Sequence, residues 1–193
     1  MRENAGHREA DKLNKVEPIR SREKIKAMKN KLKKQNFRDY LLFNVGINTG
    51  FRISDILKLR VRDVKNRTHI EITEEKTNKI KKQMINGQLR DDLEGYIADM
   101  ADHEYLFCSR KGQNQPISRV QAYRVLRKAA DELGIKKVGT HTLRKTFGYH
   151  HYQMHRDTAL LQQLFNHSSP TVTLDYIGIS QDEQDESMKN FYL

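Results

Sequence analysis

A mainly α-helical fold carrying one small antiparallel β-sheet, an α+β domain, is what this sequence predicts. Apolar residues recur at helical spacing through most of the 193-residue chain, and a single pair of alternating segments flanks a polar turn. That length suffices for one domain with a substantial core, whereas two full domains would be cramped.

Residues 1–20 are charged, poor in large apolar side chains and interrupted by Pro18, which predicts a flexible basic arm or linker ahead of a domain over residues 21–180. Ser21 can cap a helix running to about Gln35, with Ile25, Met28 and Leu32 inward and lysines on the other faces. A second helix, Arg38 to Ile47, should end near Asn48-Thr49-Gly50, where Gly50 can take left-handed angles. Ser54 and Asp55 fall in the first turn of a short helix that turns Ile56, Leu57 and Leu59 inward. Thr68–Thr73 alternates as a half-buried strand, Glu74–Lys79 can turn, and Ile80–Ile85 can return as its partner.

Helical pattern resumes at about Gln88–Met100. A short extended piece follows at Glu104–Cys108, and a helix from Ser118 to Leu133-Gly134 comes next. Cys108, the only cysteine, sits in an apolar run and reads as core; no intrachain disulfide can form. Thr140 can cap a helix beginning His141-Thr142-Leu143-Arg144, with Leu143 and Phe147 toward the core. Leu160, Leu161, Leu164 and Phe165 form an apolar stripe that Asn166 can end in a left-handed conformation. Ser169-Pro170 reads as cap plus first helical residue of a short helix that should bury Val172 and Leu174 and carry Tyr176. Residues 181–193 form an acidic, then apolar, tail.

Lys and Arg total 36 against 25 Asp and Glu, a formal charge of +11, which favours a polyanionic partner. No apolar run approaches the roughly 20 residues of a spanning helix, and the N-terminus lacks a signal-peptide core. A cytoplasmic, nucleoid-associated protein without a membrane partner is expected. His151 and His155 lie one helical turn apart, but the Glu expected beside the first histidine of a zinc peptidase helix is missing and no third ligand is marked. No metal and no cofactor are expected, and these histidines read as surface groups. On the Ser118 helix, Arg124 and Arg127 can line a DNA groove as well as make a solvated face.

The chemistry lies in a combination. His141 and Arg144, three residues apart, share a helix face beside free backbone amides, a corner suited to phosphate. His167 lies in a tight joint nine residues before Tyr176. Together with Gly50-x-Arg52 and Asp55, these motifs resemble, in order and spacing, the active-site motifs of tyrosine recombinases of the phage integrase type. Thr49-Gly50-Phe51-Arg52-Ile53-Ser54-Asp55-Ile56-Leu57 is similar to that family's first motif at nearly every position.

The resemblance covers about residues 20 to 180, a whole catalytic domain. It implies that Arg52 and Arg144 clamp the scissile phosphate with help from His141 and His167, that His141 is the general acid/base candidate, and that Asp55 orients neighbouring cations. The family's lysine sits on a β-hairpin turn, which implies Lys76, with Lys79 the fallback. Tyr176 is implied to attack phosphorus, forming a 3′-phosphotyrosyl link and freeing a 5′-hydroxyl that Lys76 protonates. Two arginines supply fixed donors where charge develops, so magnesium is unnecessary. Four protomers around paired sites on double-stranded DNA are the family's usual homotetramer, the chain alone being expected as a monomer. The tail resembles family C-termini that pack on a neighbouring protomer, here through Phe191 and Leu193. Two positions depart from the family pattern: Lys145, read as a DNA contact like Lys79, stands where many members have His, and Asn166 stands where many have Gly.

The chain has no room for the separate core-binding domain that usually precedes such a catalytic domain. It therefore reads as an excised catalytic domain or as a short recombinase like those that invert fimbrial promoter segments. The rival from another class is a DNA-binding regulator derived from a recombinase without catalysis; the complete Arg, His, Arg, His, Tyr set argues against it. A type IB topoisomerase ranks third, because its larger clamp segments are absent.

Overall fold

The computed structural model describes residues 16–75, 78–179, 188, 189 and 192. Helix α1 (Arg22–Gln35) starts where Ser21 Oγ accepts the Lys24 amide at 3.1 Å, and it buries Met28 and Leu32. After the Asn36 cap, α2 (Phe37–Thr49) runs through the middle of the domain. It packs against α1 and against helices later in the chain, which is why its sequence has no polar face: every residue from Asp39 to Gly46 is buried.

Gly50 ends α2 at φ 66° and turns the chain into α3 (Ile53–Ile56), leaving Arg52 as an extended residue at the helix entrance. A 3-10 turn at Val61–Asp63 leads to strands β1 (His69–Thr73) and β2 (Ile80–Met84), which pair antiparallel with Thr73 opposite Ile80 and Ile72 opposite Lys81. Helix α4 (Gly87–Ile97) follows. The expected extended piece at Glu104–Cys108 forms isolated bridges, Tyr105 with Arg60 and Cys108 with Pro116. Leu106 and Phe107 are fully buried, whereas Cys108 is only partly so and is not a core thiol.

Helix α5 (Arg119–Glu132) is capped by Ser118. Helix α6 (Thr140–His155) is capped by Gly139 rather than Thr140: the Gly139 amide donates to Thr142 Oγ1 at 3.0 Å, so the threonine two positions later closes the turn. Asp157 caps α7 (Thr158–Phe165), and Asn166 ends it in the left-handed region at φ 53°. Ser169 caps α8 (Pro170–Ile177), with Pro170 in its first turn. On α8 the buried positions are Thr173 and Ile177, one turn apart, and Val172, expected inward, is 44% exposed. Leu160 is likewise 41% exposed, so the inward stripe of α7 narrows to Leu161 and Phe165, with Leu164 partly buried.

The main core is gathered around α2, and a second, smaller cluster joins Leu161, Phe165, Ile177 and Ile179 beneath Phe147 and Tyr176. Helix α6 bridges the two. At Gly148 an added Cβ would lie 2.6 Å from Ile177 and 2.7 Å from Phe165, so only glycine lets α8 approach this closely. Gly148→Ala is expected to cost about 1–3 kcal/mol by overpacking and to displace the helix carrying Tyr176. An unchanged urea midpoint would refute this.

Residues 16–20 depart from the expected arm. Pro18 and Ile19 are buried, the Ile19 amide donates to Thr146 Oγ1 at 2.9 Å, and Arg20 Nη2 donates to the Gly178 carbonyl at 2.5 Å. This short strap lies across α6 and the end of α8. Among the described residues, no helix is long and apolar enough to cross a membrane.

Candidate active site

Arg52, Arg144, His167 and Tyr176, far apart in sequence, meet at the seam between the two clusters. Arg144 is 97% buried, being 3% exposed, because its guanidinium completes two helix ends: Nη1 donates to the Gly50 carbonyl at 2.7 Å and Nη2 to the Phe165 carbonyl at 2.9 Å. Carbonyls at helix C-termini lack intrahelical donors, so this one side chain ties α2 to α7. Its plane also lies over the Phe165 ring at 4.3 Å. Burial lowers its pKa, opposed by Tyr176, yet an arginine remains a cation at any working pH.

Arg52 projects from the entrance of α3 and ion-pairs through Nη1 with Glu74 Oε1. Glu74, fully buried at the end of β1, also pairs with Lys81 Nζ at 3.0 Å, and Lys81 donates in turn to the Leu164 carbonyl. Burial, then the charge of Arg144, holds the Lys81 ammonium below its usual pKa. Sequence reasoning missed both residues. The signal lay in strand parity: Lys81 stands opposite buried Ile72 and shares its face, whereas Ile80, the apolar neighbour, is 76% exposed.

Asp55 Oδ1 accepts the Glu75 amide at 3.2 Å and so fastens the start of the hairpin turn. Burial raises its pKa, and Oδ2 has no hydrogen-bond partner. Lys76, in that turn, lies outside the described residues, as do Phe191 and Leu193. Lys79 is exposed and donates to Asn166 Oδ1 at 2.8 Å, so Lys79 and Lys81 both reach the α7–α8 joint.

His167 Nδ1 lies 3.2 Å from Thr173 Oγ1, whose hydroxyl donates to the Ser169 carbonyl at 3.1 Å. With that proton committed, Thr173 accepts from Nδ1–H, which leaves Nε2 as the bare nitrogen. Thr173 was also invisible in the sequence reading. Burial first, then Arg144, Lys81 and Arg52, push His167 down to about 4, so the ring is neutral at pH 7. Between its ordinary value of about 6.5 and about 4, the unfolded chain binds a proton that the folded chain refuses. Stability is therefore lost as pH falls through that window and levels off below it. A His167→Asn variant should show a shallower dependence of urea midpoint on pH from 7 to 4; identical slopes would contradict the assignment.

The Tyr176 ring meets His167 edge-on at 5.0 Å and Phe165 at 5.6 Å, with Lys145 Nζ over it at 5.1 Å. Burial raises the phenol pKa, while Arg144, Arg52 and a hydrogen bond from Arg144 pull it down. Lys145, read as a DNA contact, is buried within the site. His141 is exposed in the first turn of α6, on the solvent side of buried Arg144. Arg124 is exposed on α5, and Arg127 pairs with Asp131 at 3.0 Å. No group of three metal-ligating side chains occurs among the described residues. Cations converging on a half-buried hydroxyl suit a phosphodiester and attack upon it.

The chain matches the model of the phage integrase family over residues 20–183. A curated relative, "Probable integrase/recombinase YoeC" of Bacillus subtilis, is 52% identical over 91% of this chain and 97% of its own length. The chain spans only about half, 50%, of XerD from Corynebacterium glutamicum, at 32% identity over 76% of this chain. Among solved structures, XerA superposes with a TM-score of 0.74 at 22% identity, covering 91% of this chain and 67% of that one. XerH bound to its difH substrate before cleavage superposes at 0.69 and 20% identity, covering 91% and 55%. At those identities the structures speak for the fold, whose helices and two-stranded sheet agree.

Proposed function

The chain belongs to the phage integrase family of tyrosine recombinases, and on that premise we propose that it cleaves and rejoins DNA strands through a 3′-phosphotyrosyl intermediate on Tyr176. The observation that carries this reading is the convergence of Arg144 and Arg52 on the half-buried Tyr176 phenol, where their charges oppose the upward push of burial on its pKa. Burial keeps the hydroxyl protonated in the free protein. A scissile phosphate held by the two arginines brings an electrophile to it and leaves their charge to stabilise both the phenolate and the five-coordinate transition state.

In the proposed reaction Tyr176 Oη attacks phosphorus, the P–O5′ bond breaks, and Lys76 delivers a proton to the leaving oxygen. The phosphotyrosyl bond retains the energy of the broken linkage, so a 5′-hydroxyl from another strand reverses the attack without ATP. His141, exposed in the first turn of α6, is the proposed general acid/base, and His167, kept neutral, assists the two arginines at the phosphate through Nε2. Arg124 and Lys79, both solvent-facing, are the proposed outer contacts to the backbone. The formal charge of +11 and the DNA-bound state of the XerH neighbour support double-stranded DNA as partner. A homotetramer on paired sites in the nucleoid is the proposed working assembly, the tail packing in trans.

The test uses a nicked duplex built from DNA flanking the gene, from which the short 5′-hydroxyl strand diffuses away after cleavage. A covalent protein–DNA adduct stable to denaturant, with phosphotyrosine mapped to residue 176, is the expected result. Binding without any adduct would overturn the reading in favour of a DNA-binding regulator.

A further inference from the structure

A fully buried carboxylate in a basic cleft calls for a reason, because desolvating Glu74 costs stability unless its partners compensate. Two cations converge on one oxygen, Oε1: Arg52 through Nη1, and Lys81 through Nζ at 3.0 Å. A guanidinium carries five N–H donors. Engaging Nη1 leaves the other donors for a phosphate, on a side chain that stays partly exposed, and restricts the rotamers that an arginine at a helix entrance otherwise samples. Lys81 extends the connection, because it also donates to the Leu164 carbonyl in the last turn of α7, two residues before the Asn166-His167 joint.

We propose that Glu74 is a positioning residue for strand cleavage: its carboxylate presents Arg52 to the scissile phosphate and, through Lys81, fixes that arginine relative to the turn that holds His167. The role rests on Arg52 being the phosphate clamp proposed above. It also gives the DNA-free cleft an internal anion, which moderates repulsion among Arg52, Lys81 and Arg144, the three cations whose charges bear on His167.

A salt bridge of purely architectural value and a positioning carboxylate differ in how they divide binding from chemistry. Removing the Glu74 charge leaves the cleft one unit more positive, so DNA binding holds or tightens, while cleavage slows because Arg52 is no longer aimed. The experiment measures Glu74→Gln in two settings. Equilibrium DNA binding is read in a Tyr176→Phe background across a salt series, and single-turnover adduct formation is read with Tyr176 intact. Expected are affinity at least equal to the parent, a log K against log salt slope steeper by about 0.9, and adduct formation slower by about 10–100-fold, the scale seen when partners that orient active-site ligands are lost. Glu74→Asp should recover part of the rate. Combined with Lys81→Gln, the double variant should be no slower than the slower single one, since both break the same connection.

An unchanged adduct rate in folded Glu74→Gln overturns the proposal. So does a parallel fall of affinity and rate that tracks the folded fraction by near-ultraviolet circular dichroism. If Glu74→Gln does not fold, Lys81→Gln carries the test: a slope shallower by about 0.9 with a slowed rate supports the role, and an unchanged rate overturns it. An Arg52→Ala control separates the two levels. Wild type reactive, Arg52→Ala inactive and Glu74→Gln unimpaired removes only the positioning role, whereas wild type without adduct removes the recombinase reading and this role with it.

Discussion

Tyr176→Phe is expected to fold, to bind DNA as the parent does, and to form no covalent adduct on a nicked substrate. The substitution deletes a single oxygen. The edge-on ring contacts with Phe165 and His167 and the Lys145 ammonium over the ring all survive in phenylalanine. Arg144 keeps its bonds to the Gly50 and Phe165 carbonyls. Loss of a covalent nucleophile costs on the order of 10⁶ in rate where it has been measured in other enzymes, so the adduct should vanish from a denaturing gel. Residual adduct at wild-type level would mean that another residue attacks. Lower DNA affinity in proportion would mean that the hydroxyl serves binding instead.

Arg144→Ala is expected to damage stability and chemistry together. Two carbonyls that close the ends of α2 and α7 lose their donor inside a nearly dry site, which costs about 2–6 kcal/mol given about 1–3 kcal/mol for each buried group left unsatisfied. The cleavage rate should fall by at least about 10²–10³, the scale of removing one preorganised donor to a developing anion. Arg144→Lys separates the contributions. It retains a cation but cannot reach both carbonyls at once, so it should stay destabilised while recovering little activity. A urea midpoint for Arg144→Ala equal to wild type would show that the helix ends do not depend on this side chain.

The candidate constellation was legible through its resemblance to the motifs of the tyrosine recombinase family, and the local setting of its residues through strong short-range rules. Gly50 at a left-handed helix end, Arg52 just beyond it, Arg144 in the first turns of α6 and Tyr176 in a Ser-Pro-capped helix each follow from short-range backbone chemistry. Glu74 and Lys81 were not legible in that way. Their meaning comes from a cross-strand register and from the end of α7, more than eighty positions beyond Lys81. A charged residue beside an apolar one in a strand, as Lys81 is beside Ile80, gives no hint of which face is inward until the partner's register is known. Val172 misled for a related reason, since an eight-residue helix has a single buried row and Thr173 and Ile177 occupy it. The Thr173 hydroxyl earns that place by serving His167.

The strap at residues 16–20 has a mechanical corollary. It is fastened at both edges: the Glu17 amide and side chain hold Lys137 ahead of α6, and Arg20 grips the carbonyl of Gly178 immediately after α8. Tension on the chain at Val16 is therefore taken up first by Glu17 on Lys137 and by Ile19 on Thr146, and reaches the end of α8 through Arg20. The strap thereby ties the entrance of α6 to the far end of the helix that carries Tyr176, so the two helices that flank Gly148 are held together from outside as well as by their packing.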